Sequence, residues 1–238
     1  MLILQAKILP MKQLFWMLFI AIGLMACSGK KKAETSASEE NTSETTEQVQ
    51  EEPKETKKTI VFFGNSLTAG LGLDKSEAFP ALIQDRIDSL GMDYTVVNAG
   101  LSGETSSNGA SRIDWVLSQK VDVFVLELGA NDMLRGLDVK ATEENLDEIL
   151  QSVQAKYPEA QLIVCEMLAP PNMGSEYVNE FQALYKRLSD KYNAGFIPFF
   201  LTGVAENPDE LTLDGKHPTA EGQKIVRDNV WEVLKGYL

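Results

Sequence analysis

Histidine is almost absent from this chain: 238 residues contain one, His217. Catalytic zinc sites generally use two or three imidazoles, so this scarcity, with carboxylates that show no ligand spacing, speaks against metal hydrolysis. Cysteine is nearly as scarce, with Cys27 and Cys165 only. Cys165 lies in the apolar run Leu162-Ile163-Val164-Cys165, where a small core side chain is expected, so no disulfide framework is read. Basic residues are in deficit, 22 Lys and Arg against 35 Asp and Glu, giving a net charge of −13. Clustered cations are what hold phosphate backbones, so a nucleic-acid partner is excluded. A dinucleotide fingerprint is also missing, because Gly70-Leu71-Gly72-Leu73 lacks the third glycine and does not open a helix. No cofactor and no metal are expected.

Long apolar runs are lacking too. The longest, Leu14 to Ala26, falls short of the roughly 20 residues that span a bilayer. Preceded by Lys7 and Lys12 and closed by small residues, it has the layout of a secretory signal, with Met1 or Met11 as the start. It ends in Leu24-Met25-Ala26-Cys27, which resembles the bacterial lipobox, and the resemblance implies cleavage before Cys27 and lipidation of that cysteine. The expectation is a signal peptide over residues 1–26 and an exported protein, lipid-anchored to a bacterial membrane in the periplasm or cell envelope. An ordinary signal peptide with a chance cysteine, or an uncleaved anchor, remain alternatives. From Ser28 to about Lys58 the chain is Lys, Glu, Ser, Thr and Gln with almost no large apolar residue. Burial cannot offset the ordering entropy of such a segment, so residues 27–58 are expected to be a disordered acidic and polar tether.

Beyond Lys58, short apolar runs alternate with helix-length amphipathic segments, the pattern of an α/β domain around a mainly parallel sheet. Strands are predicted at Thr59–Phe63, Tyr94–Asn98, Val121–Leu128, Gln161–Glu166 and Gly195–Pro198. Helices are predicted at about 79–90, 107–119, 142–156, 175–192 and 219–238. Residues 59–238 therefore read as one domain, with no repeat and no second core. Ligands in such sheets bind at the carboxyl ends of strands. Ser66 follows strand one, Gly100 strand two and Asn131 strand three, so polar groups collect along one rim.

A serine hydroxyl becomes a nucleophile when a base takes its proton and a carboxylate orients that base. In Asp214-Gly215-Lys216-His217-Pro218 one loop can present both partners, and only His217 can supply an imidazole to Ser66. Acyl transfer also needs donors aimed at a developing oxyanion. Three are available: the backbone N–H groups of Ser66 and Gly100 and the side-chain amide of Asn131.

Gly64-Asn65-Ser66-Leu67, then Asn98-Ala99-Gly100-Leu101-Ser102-Gly103-Glu104-Thr105, then Gly129-Ala130-Asn131-Asp132, then Asp214-Gly215-Lys216-His217-Pro218 occur in the order of the four blocks of the SGNH (GDSL-type) hydrolases. The chain resembles that family from Thr59 to Leu238, and within it the lysophospholipase, acyl-CoA thioesterase and arylesterase group. The resemblance implies a flavodoxin-like three-layer sandwich with a mainly parallel five-stranded sheet. It also implies a cofactor-independent serine esterase with Ser66 as nucleophile, His217 as base, Asp214 as its partner, and Ser66, Gly100 and Asn131 as the oxyanion site. The expected substrate is a small acyl ester or thioester, and the expected state is a monomer. A carbohydrate acetyl esterase of the same fold, and a non-catalytic lipid- or glycan-binding lipoprotein, are the competing readings. Asn65 departs from the family, standing where Asp is usual. Met133, and Pro170 at the head of Pro170-Pro171-Asn172-Met173-Gly174, are candidates to wall the acyl group.

Overall fold

The computed structural model describes residues 57–238. Cys27, the leader and nearly all of the tether lie outside the described residues. Five parallel strands, β1 (Lys58–Gly64), β2 (Tyr94–Gly100), β3 (Val123–Glu127), β4 (Gln161–Cys165) and β5 (Gly195–Ile197), form one sheet in the order β2-β1-β3-β4-β5. This is the doubly wound α/β arrangement expected. Ile60 to Phe63 and Val123 to Leu126 are buried throughout, as continuous apolar runs must be when helices cover both faces.

Among the described residues, eight α-helices connect and cover the strands: α1 (Ser66–Ala69), α2 (Phe79–Ser89), α3 (Ser106–Val116), α4 (Ala130–Leu134), α5 (Val139–Lys156), α6 (Ser175–Tyr192), α7 (Pro208–Leu211) and α8 (Ala220–Leu234). Helices α2 and α8 pack together, and α5 packs against α3 and α6. The amphipathic spacing explains this choice. In α6, Phe181, Leu184, Tyr185 and Leu188 are buried, and in α8, Val226, Val230 and Leu234 recur every fourth residue and are buried. No helix among the described residues is long and apolar enough to cross a membrane.

The strand order places the site. The chain goes from β1 to one side to form β2, then returns past β1 to form β3, so the connections leave β1 and β3 in opposite directions and open a crevice at their carboxyl ends. Ser66 comes directly after β1 and Asn131 directly after β3.

Candidate active site

The nucleophile turn is wrapped around a buried carboxylate. Asn65 caps α1, its Oδ1 accepting the Leu67 N–H at 2.9 Å, as a side-chain oxygen does for the free amides of a first turn. Its Nδ2 donates to Glu127 Oε1 at 2.7 Å, while Glu127 Oε2 accepts the Asn65 N–H at 3.2 Å and the Thr68 hydroxyl at 2.7 Å. A side chain at Gly64 would collide with the Thr68 hydroxyl and the Glu127 carboxylate, so only glycine lets the turn close so tightly. Burial pushes the Glu127 carboxyl up to about 7, against the hydrogen bonds from Thr68 and Asn65, which pull it down. Ser66 is thereby held as the first residue of α1, its N–H donating to no group among the described residues.

Across the chain, Thr212 pairs with Pro218 in an antiparallel bridge, Leu213 N–H donates to His217 O at 2.7 Å, and Thr219 N–H donates to Leu211 O at 2.8 Å. The narrow loop so formed carries Asp214 and His217 to one side. His217 Nε2 lies 2.9 Å from Ser66 Oγ, and its Nδ1 lies 2.8 Å from Asp214 Oδ2. A carboxylate beside Nδ1 assigns the proton to that nitrogen, leaving the Nε2 lone pair facing the serine. The backbone N–H of His217, then its ring N–H, hold the Asp214 carboxyl down at about 2. Helix α8 fixes the distance between the halves, because the buried Gln223 accepts the Phe79 N–H at 2.9 Å and donates to Leu67 O at 3.4 Å.

Among the groups expected to bind an oxyanion, the structure differs at one position. Gly100 does not present its N–H to the serine: that group donates to Asn98 Oδ1 at 2.9 Å, and a Cβ on Gly100 would run into the backbone of Ala69. Gly100 is a close-packing glycine that lets β2 lie against α1. Three residues on, Gly103 has φ +82° and an N–H with no partner among the described residues. Its carbonyl accepts Arg135 Nη2 at 2.9 Å, and Asn131 Nδ2 donates to the next carbonyl, Glu104 O, at 2.9 Å. The Gly103–Glu104 turn is thus tied to Asn131, whose second amide hydrogen is left for a ligand. Arg112 fixes the turn from below, pairing with the buried Glu104 carboxylate through Nε and Nη2 and donating to Ala99 O at 2.7 Å.

The model of the GDSL-like lipase/acylhydrolase family matches residues 62–225. The chain belongs to this family. It is 36% identical over 181 residues to esterase TesA of Pseudomonas aeruginosa, covering 76% of this chain and 89% of that protein. It is 37% identical over 171 residues to the thioesterase 1/protease 1/lysophospholipase L1 of Escherichia coli K12, covering 71% and 80%. Among solved structures, the psychrotrophic esterase EstA from Pseudoalteromonas sp., described as inhibited by monoethylphosphonate, superposes with a TM-score of 0.71 at 34% identity, covering 75% of this chain and 97% of that one.

Two further positions in this GDSL-family chain were expected near the acyl group. Met133 is buried, 7% exposed, and belongs to the hydrophobic core, so it packs α4 rather than lining a rim. Pro170 is exposed and precedes the 3₁₀ turn Pro171–Met173. Neither lines the cavity of about 910 Å³ between the segments Gly136–Lys140 and Met173–Tyr177, and Ser66, Gly103, Asn131 and His217 do not line it either. Sequence reasoning had left out Glu127, Gln223 and Gly103. For Gly103 a signal existed, since a glycine inside Ser-Gly-Glu is suited to positive φ. Glu127 carried one too: a carboxylate at the end of an apolar strand is costly unless it has partners.

Proposed function

We propose that the protein is a serine esterase that cleaves carboxylic esters and thioesters through an acyl-enzyme. The observation that carries this reading is the continuous relay Ser66 Oγ, His217 Nε2, His217 Nδ1, Asp214 Oδ2, with consecutive separations of 2.9 Å and 2.8 Å across its two hydrogen bonds. His217 takes the serine proton as Ser66 Oγ attacks the acyl carbon. Asp214, ionised throughout the neutral range, holds the imidazole tautomer and stabilises the imidazolium. The N–H groups of Ser66 and Gly103 and the free hydrogen of Asn131 Nδ2 receive the oxyanion, each such donor lowering the barrier by about 3 kcal/mol. His217 then protonates the leaving alkoxide or thiolate. Water, deprotonated by the same imidazole, attacks the acyl-enzyme, and Ser66 recovers its proton as the acid departs.

The names of the relatives, among them an arylesterase of Vibrio mimicus, support aryl esters, acyl thioesters and lysophospholipids as the substrate class. EstA's inhibition by a phosphonate supports the same chemistry, because a phosphonyl group reproduces the tetrahedral geometry that the oxyanion donors bind. Ser66→Ala should abolish turnover of a short aryl ester and covalent labelling by a fluorophosphonate while leaving the circular dichroism spectrum unchanged. Turnover retained in pure Ser66→Ala protein would overturn the reading. A panel of aryl esters of increasing acyl length, lysophosphatidylcholine and acetylated sugars then ranks the substrates.

For location, the lipobox-like Leu24-Met25-Ala26-Cys27 supports an envelope lipoprotein held through acyl chains on Cys27. Two or more chains give stable anchoring where one does not. Metabolic palmitate labelling lost in Cys27→Ala is the expected result, and labelling retained in that variant would remove the anchor.

A further inference from the structure

We propose that Glu127 is a positioning residue for the nucleophile, gripping the turn Gly64–Thr68 as an anion, and that Asn65 is the residue that lets it do so in this chain. The inference rests on the esterase reading above. Three donors converge on the Glu127 carboxylate: Asn65 Nδ2 on Oε1, and Asn65 N–H and the Thr68 hydroxyl on Oε2. These flank Ser66 in sequence on both sides. The link to the nucleophile is short, since Asn65 Oδ1, oriented by the bond from Nδ2 to Glu127, accepts the Leu67 N–H at 2.9 Å and lies 3.4 Å from Ser66 Oγ.

An ionised carboxylate accepts at both oxygens and satisfies all three donors. The protonated acid carries a hydrogen of its own, and the groups around it are already donating toward it. Among the groups that donate to it, only two could take that hydrogen. The Thr68 hydroxyl would have to turn around, or the Asn65 amide would have to flip and surrender the cap of Leu67. Either change loosens the turn that aims Ser66 Oγ at His217.

The family's usual aspartate in place of Asn65 would behave differently. A carboxylate there, 2.7 Å from Glu127 Oε1, could not ionise alongside it, and the two would share one proton across the neutral range. With Asn65 the amide supplies the hydrogen bond and Glu127 can be anionic alone. No other group competes for that role. Among the described residues Glu127 has no cationic partner. The Cys165 thiol on β4 and the Tyr185 hydroxyl on α6, which donates to Leu128 O, sense its charge, and burial, then the charge of Glu127, push both well above their usual ranges, so both stay neutral. The other groups that Tyr185 senses are the carboxylates Asp132 and Glu166 and the phenol of Tyr177, itself raised by burial.

The test is the pH dependence of kcat/KM and kcat on a soluble aryl ester, measured on the full chain. Alongside it runs the pH dependence of Ser66 phosphonylation by a fluorophosphonate. In the wild-type protein Glu127 must be unprotonated as well as the catalytic base, so the acid limb falls more steeply than a single titration allows. Glu127→Gln turns an amide donor toward existing donors. It should lower kcat about 10–100-fold, the range a displaced reacting group costs, with a much smaller change in KM and an acid limb reduced to one titration. Asn65→Asp should move that limb to lower pH and introduce a decline at high pH, where the shared proton is lost. Wild-type kcat in Glu127→Gln, or a reduced kcat with an acid limb of unaltered position and steepness, would overturn the proposal. If Glu127→Gln does not fold, an Asn65→Asp profile that superimposes on the wild type does so alone. Ser66→Ala, run in parallel, separates the two readings: full turnover there defeats the esterase mechanism itself, whereas loss there with unchanged profiles in the other variants defeats only the role of Glu127.

Discussion

Between about pH 4.5 and about pH 7, folding takes up a proton at Glu127 that the unfolded chain has already released, because burial raises this carboxyl from 4.5 to about 7. A raised carboxyl stabilises the fold below its unfolded value, and that contribution is lost as pH rises through the folded one. At 1.36 kcal/mol per unit the loss is about 3 kcal/mol. The anion that the nucleophile turn uses therefore costs the fold stability, a conflict common where a site needs a strained group. Urea unfolding should show wild-type stability falling across this window and Glu127→Gln flat through it. Equal slopes in the two proteins would contradict the account. Asp214 has the opposite sign: its carboxyl is lowered to about 2, so its contribution is present above 3.8 and disappears as pH falls through about 2, outside the range where Glu127 acts. Also at this scale, Asn131→Ala removes a donor from the oxyanion and leaves the Glu104 carbonyl without its partner. The expected loss in kcat is about 10²–10³-fold with little change in KM, and steady-state kinetics on an aryl ester checks it.

Among the elements, α8 matters more to catalysis than its distance from the chemistry suggests. Gln223 on α8 bonds the Phe79 N–H of α2 and Leu67 O of α1, so it joins the helix that follows His217 to the helix that begins with Ser66. Gln223→Ala leaves a buried amide and a carbonyl unpaired, which costs about 1–3 kcal/mol, and frees the loop to drift from the serine. Thermal unfolding should fall and kcat should drop together, whereas Gln223→Glu, retaining one acceptor, should recover part of the stability. A kcat unchanged in Gln223→Ala would show that the histidine loop is held from elsewhere. The strands and the five long helices were legible because periodicity and turn residues are local properties of the chain, whereas the pairing of Ser66 with His217, 151 residues apart, was legible from the single imidazole and the order of the four family blocks. The short helices α1, α4 and α7 were not, being too brief to show a period. The start of α5 at Val139 rather than near Thr142 was hidden as well, since its cap depends on Asp138 Oδ1 accepting the Ala141 N–H at 2.8 Å. Gly100 was misread for a related reason. Its placement after a strand suggested a free amide, but Asn98, two residues earlier, already accepts that N–H, and the Cβ clearance against Ala69 is a long-range fact that no spacing reveals.

At the scale of the whole molecule, the catalytic groups lie at the carboxyl ends of the strands and both ends of the domain lie at the other pole. Lys58 opens β1 and Gly64 closes it, and seven residues of strand separate them by roughly 20 Å. At the pole opposite Ser66, Lys58 Nζ donates to the Tyr94 hydroxyl at 3.5 Å, and that hydroxyl donates to Leu238 O at 2.6 Å. Whatever precedes Lys58 therefore joins the domain far from the relay, and the buried core runs from Ile60 to Leu234. A chain beginning at Lys57 should keep a kcat/KM on a soluble aryl ester close to the wild-type value, since the cut falls at the end of β1 away from Ser66. On the anchor proposed at Cys27, the same truncation should release the protein from the membrane fraction. The two readouts are independent: a truncated protein that stays membrane-bound would place the attachment within the folded domain, and one that is free but inactive on the soluble ester would give the leading segment a part in the active site.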